Sequence, residues 1–129
     1  MWANRANDQE NDMQYLLLIY SNEAEMAAMG GAALNAMRAE YAEFTKGIIQ
    51  TGKFKAGDRL KPSSSASTVR VRNGKAATTD GPFAETREQL GGYYLIEAKN
   101  LDEAIAIAGR IPGAKHGSIE VRPVWPPEG

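Results

Sequence analysis

The run Gln14 to Tyr20, QYLLLIY, constrains the fold of this chain more than any other stretch. It is far shorter than the roughly 20 residues needed to cross a bilayer. It is also too continuously apolar to be a strand with one wet face. Branched residues in a short unbroken run suit a central strand covered on both sides. A chain built around such a strand has to supply two covering layers. The first is legible further on, where Leu34, Met37, Tyr41, Phe44 and Ile48 recur at steps of three and four. That spacing places them on one face of a helix, with Arg38, Glu40, Glu43, Lys46 and Gln50 mostly on the other. Gly52 is the expected stop.

The remaining segments follow the same logic. SNEAEMAAMGG (21–31) is polar and rich in small residues, and Gly30-Gly31 breaks any helix begun there. KFKAGDRL (53–60) is expected to form a strand weakened by Gly57, and KPSSSAS (61–67) a loop. TVRVR (68–72) alternates strictly, so Val69 and Val71 share one side and Thr68, Arg70 and Arg72 the other. Asn73-Gly74 is the dipeptide of a type I′ turn, which predicts a hairpin returning through KAATT (75–79). GGYYLIEAK (91–99) predicts another strand. In NLDEAIAIAGRIPG, Asn100 can cap a second helix, Glu103 can close a capping box, and Pro112-Gly113 ends it. SIEVRPVW (118–125) is the last strand expected.

The order is strand, helix, strand, inserted hairpin, strand, helix, strand. Two such halves in one short chain predict a single α+β sandwich over residues 13–125, with helices on one face of an antiparallel sheet. Residues 1–12, MWANRANDQEND, are expected to be a disordered leader, and residues 126–129 a C-terminal tail. The second face of the sheet still needs cover. In a chain of 129 residues the expected cover is a second copy of itself, a homodimer pairing sheet to sheet.

Several functions are disfavoured by what the sequence lacks. The net charge of -1 provides no basic field for nucleic acid or anionic lipid. The absence of cysteine removes disulfides, thiolate nucleophiles and cysteine metal ligands. The first twelve residues lack an apolar signal core, so the expected location is the cytoplasm. Gly30-Gly31 and Gly91-Gly92 lack the lysine and spacing of a phosphate-binding loop or a dinucleotide fingerprint, and Ser63-Ser64-Ser65 is no nucleophile elbow. With one histidine, the chain offers no paired imidazoles for a metal. The expectation is therefore no metal and no cofactor.

The groups left for chemistry are few. Asp80, beside Gly81 and the rigid Pro82, is a carboxylate at a strand end that suits a general base or a polar anchor. The competing reading is a turn residue accepting backbone N–H bonds. His116 stands in a glycine-flanked loop, where an imidazole can serve as acid or base near neutrality. Arg70 and Arg72 share a strand face and could hold an anion through their planar forks. Asp58 ends the second strand beside Arg59, and Tyr20 and Tyr93 suit a pocket rim and a dimer interface equally. Phe83 is expected to anchor in the core.

The ordered set MQYLLLIY, TGKFKAGDRL, TVRVRNGK, TTDGPFAETREQLGGYYLIEAKNLDEAIAIA and HGSIEVRPV closely resembles the DGPF-domain proteins of the YCII-related family, from residue 13 to residue 125. The resemblance implies a ferredoxin-like subunit that pairs into a dimeric α+β barrel. YCII-type relatives have been proposed to act through a His–Asp pair, with the histidine on the first helix. Here that position falls near Tyr41, a poor base at neutral pH, so the pair does not carry over. Many DGPF proteins are encoded beside extracytoplasmic-function sigma factors, which implies a regulatory connection. Two functional readings therefore stand. One is a small-molecule-binding protein acting as a cofactor-free isomerase or lyase on a small polar substrate, with Asp80 and His116 catalytic and Arg70, Arg72, Asp58 and Tyr20 binding. The other is a non-catalytic dimeric regulatory or interaction module.

Overall fold

A computed structural model describes residues 12–127. The expected leader up to residue 11 and the last two residues of the expected tail lie outside the described residues. The central run forms β1, Met13–Ser21, and the chain continues through α1, Glu23–Ala27, and the long α2, Gly31–Gln50. Next come β2, Phe54–Arg59, the hairpin strands β3, Ser67–Arg72, and β4, Lys75–Asp80, then β5, Gln89–Ala98. α3, Leu101–Gly109, and β6, Ser118–Pro123, complete the order. None of the helices among the described residues is long and apolar enough to cross a membrane.

β2, β5, β1 and β6 form one antiparallel sheet in that order, so the QYLLLIY strand is indeed internal. Its odd positions, Tyr15 and Leu17, are buried, and Ile19 packs against the same core. On β5 the residues of that face, Tyr94, Ile96 and Ala98, are buried as well. Ile48 of α2, Ala104, Ile107 and Ala108 of α3, and Ile111 meet them there. Leu16 and Leu18, on the opposite face, are only half-buried. The fold is thus α+β, with an antiparallel sheet covered by α2 and α3 on one side, as the pattern predicts.

The caps follow the local chemistry. The Asn22 side chain accepts the Glu25 N–H at 2.9 Å and starts α1, which stops before Gly30. α2 closes as expected, with the Gly52 N–H bonded to the Ile49 carbonyl and the Lys53 N–H to that of Ile48. Asn100 accepts the Glu103 N–H at 2.9 Å. The Glu103 carboxylate, however, turns to the Lys99 N–H at 2.8 Å and to Lys53 Nζ at 3.1 Å, one residue short of a regular capping box. These bonds, the Lys99 N–H first, hold its carboxyl below the ordinary range.

β3 and β4 form a separate two-stranded sheet. Its turn residues Asn73 and Gly74 both have positive φ, 53° and 76°, which is the type I′ geometry that Asn-Gly predicts.

Candidate functional site

The floor of the site is set by what two strand residues lack. Gly92 faces the helices in the centre of a row formed with Ile19 on β1 and Arg59 on β2. A Cβ there would stand 3.0 Å from the Asp58 carbonyl oxygen, so the two strand backbones approach as only glycine allows. At Gly57 a Cβ would meet the Tyr94 ring at 2.8 Å. Beneath the N-terminal half of α2, then, the sheet carries no side chain at the middle of that row. The result is an open cleft of about 590 Å³ between α2 and the sheet. That size lies within the ~300–1,000 Å³ usual for small-molecule sites.

α2 supplies the roof. Leu34, Arg38, Tyr41 and Thr45 line the cleft, at successive steps of four, three and four. Arg38 is exposed, as expected of the polar side of the helix, and it also lines the cleft. Tyr41 is half-buried, and its hydroxyl oxygen accepts the Gly113 N–H at 3.2 Å. Burial pushes its pKa up, against the opposing effect of that hydrogen bond. Thr45 and Tyr94 share a hydroxyl–hydroxyl bond of 2.6 Å at the inner end. The Tyr94 ring is fixed by edge contacts with Phe44, centroids 5.2 Å apart, and Phe54, 6.3 Å apart.

His116 lines the cleft from a turn at Pro112–Lys115, and it is exposed. Gly113 in that turn joins two of these groups, because its N–H goes to Tyr41 and its carbonyl accepts the His116 N–H at 3.0 Å. One carboxylate, that of Glu23, lies along the cleft, while that of Asp58 turns to the other face of the sheet, and both are held. Glu23 accepts the Ser63 N–H at 2.7 Å and the Ser63 hydroxyl at 2.6 Å. Asp58 accepts the Tyr93 hydroxyl at 2.7 Å, which raises the Tyr93 pKa. Arg59, on the helix-facing side of β2, has no ion-pair or hydrogen-bond partner among the described residues.

The residues singled out from the sequence divide between two places. His116 lines the cleft; Asp58 borders it with its backbone, but its carboxylate turns to the Tyr93 hydroxyl on the other face of the sheet. Tyr20 does not line it; it lies one position beyond Ile19, on the opposite face of β1. Arg70, Arg72 and Asp80 belong to the separate hairpin and are all exposed. Asp80 and His116 are therefore not brought to one site. The Asp80 carboxylate makes no hydrogen bond among the described residues. The turn after it is held instead by the Gly81 N–H on the Ala66 carbonyl at 2.7 Å, by the Thr68 hydroxyl on the Gly81 carbonyl at 2.9 Å, and by the φ of 94° at Gly81. Phe83 corrects the core expectation, being 77% exposed in the loop beyond the hairpin. The core cluster takes its members from the main sheet, from α2 and α3 and from Ile111, and that loop packs on none of them.

An α+β domain with a mostly apolar cleft between its long helix and an antiparallel sheet is the class that these features define. The sequence profile of the YCII-related domain matches residues 13–128, and the chain belongs to that family. It is similar to an uncharacterized protein of Rhizobium meliloti (strain 1021), 36% identical over 114 residues, which are 87% of this chain and 92% of that one.

Proposed function

We propose that the protein binds a small organic molecule in the cleft between α2 and the sheet. The observation that carries this reading is the glycine-cleared floor. Gly92 leaves the centre of its row without a side chain against the covering helix, Gly57 makes room for the Tyr94 ring, and Arg38, Arg59, Tyr41 and His116 stand around the cleft. If the protein is also a cofactor-free isomerase or lyase, His116 is its acid–base group, with Tyr41 as a donor. The test is a thermal-shift screen of a metabolite library on the wild type and on Ala27→Trp, which plugs the opening from exposed α1. A compound that raises the Tm of the wild type and not of the variant supports the reading. Shifts that are equal in both remove it.

The finer architecture belongs to the same proposal. The strand order β2-β5-β1-β6 supports a ferredoxin-like subunit, and the half-buried Leu16, Leu18 and Leu95 on the uncovered sheet face support sheet-to-sheet pairing into a dimeric α+β barrel. Light scattering on Leu18→Glu checks it, since a charge at a paired face would shift a dimer to monomer. A second reading, an interaction module, is favoured by the exposed Val69, Val71 and Phe83 on and beside the hairpin.

A further inference from the structure

Resting on the cleft reading, we infer that the ligand is an organic anion with an apolar body, held by Arg59 and Arg38 at the opening and by the Tyr41 hydroxyl further in. The charges around the cleft are not balanced in their availability. The one carboxylate on its wall, Glu23, already accepts from Ser63 on each of its oxygens, and the Asp58 carboxylate lies on the other face of the sheet with the Tyr93 hydroxyl. A single, already engaged carboxylate faces two guanidiniums. The guanidiniums are in the opposite condition. Arg59 has no partner among the described residues, and Arg38 uses one nitrogen on Asn35 Oδ1 at 3.2 Å, leaving most of its donors open.

Tyr41 points the same way. Its oxygen is already used as an acceptor by the Gly113 N–H, and its own proton has no acceptor among the described residues. A part-buried hydroxyl in that state is a donor waiting for an oxygen. The free polar capacity of the cleft is thus donor-rich, and the apolar part of its wall includes Ile19, Met26, Leu34, Met37, Phe54 and Leu60. A flexible methionine pair and a bare glycine floor accommodate an apolar body of varied shape. Planar guanidiniums match a carboxylate or a phosphoryl group, and they retain charge at any physiological pH.

The test uses two fluorescent probes with the same aromatic body, one anionic and one neutral. 1-Anilinonaphthalene-8-sulfonate carries the anion; N-phenyl-1-naphthylamine lacks it. With the full chain, the sulfonate is expected to bind more tightly than the amine. In Arg38→Gln/Arg59→Gln its affinity should fall at least about tenfold, as for loss of charge-assisted contacts, while that of the amine is unchanged. Displacement at lower concentration by 2-naphthoate than by 2-naphthyl phosphate assigns the favoured group as carboxylate, and the reverse order as phosphoryl. If both probes bind equally, are blocked by Ala27→Trp and ignore the arginine substitutions, the anion inference is overturned and the cleft reading stands. If neither probe binds, or if binding survives Ala27→Trp, the cleft reading falls and the inference with it.

Discussion

The cleft and the β3–β4 hairpin carry similar side chains in opposite settings. Each has two arginines, Arg38 and Arg59 in one, Arg70 and Arg72 in the other, with Asp58 on the sheet face behind the cleft and Asp80 on the hairpin. Around the cleft these groups stand on elements anchored in the core formed by Leu17, Ile48, Ile96 and Ile111. On the hairpin they stand on two strands that pair only with each other, with every residue of β4 exposed. Charge type alone does not make a site. What distinguishes the two regions is whether a packed scaffold holds the group beside a space that a ligand can enter.

The sharpest way to press that contrast is to weaken the scaffold. Ile48→Ala removes a side chain only 1% exposed at the centre of the core, and should cost about 2–5 kcal/mol in urea unfolding. A loss below about 1 kcal/mol would mean that the core is less tightly filled than its burial implies. Tyr41→Phe comes next. It takes away the acceptor of the buried Gly113 N–H, and a loss of about 1–3 kcal/mol is expected, with weaker binding of any cleft ligand. If stability is unchanged, another acceptor or water takes that N–H.

Asp80→Asn tests the other side of the comparison. An exposed carboxylate without a partner should be replaceable within about 0.5 kcal/mol, and cleft binding should not change. A drop of several degrees in Tm would make Asp80 a turn anchor after all. The smallest effect concerns Glu103, whose carboxyl is held below its ordinary value by the Lys99 N–H. Such a depressed group stabilises the fold above the unfolded carboxyl pKa and loses that contribution as pH falls through the lower folded value. Wild type should therefore exceed Glu103→Gln slightly at neutral pH and converge with it in acid. A difference that persists at low pH would assign the effect to packing.

Much of the scaffold was legible in the sequence. The helix stripe, the Asn100 cap, the Asn73-Gly74 turn and the internal position of QYLLLIY each follow from local periodicity or local hydrogen bonding. The site was less so. His116 and Asp58 were found by residue type, but Asp80 was drawn to the same place by its chemistry alone, although its strand pairs away from the sheet. Gly57 and Gly92 read as a weakened strand and a strand start. Their part in the cleft depends on strand register, which sets Gly92 opposite Arg59 and diagonal to Gly57 under α2. Arg38 is exposed as expected, but its place beside the cleft was not legible because a helix seam has no sharp boundary in a periodic count.

The walls of the cleft come from Ile19 near one end of the chain and His116 near the other, whereas the hairpin pairs residues no further apart than Ser67 and Asp80. Loop-closure entropy favours the second and delays the first. The hairpin can open and close on its own, as hydrogen exchange of its amides would register. The cleft has no such independence. It is complete only once β6 and the turn before it have docked on β1, so occupancy of the cleft is tied by mass action to folding of the whole domain.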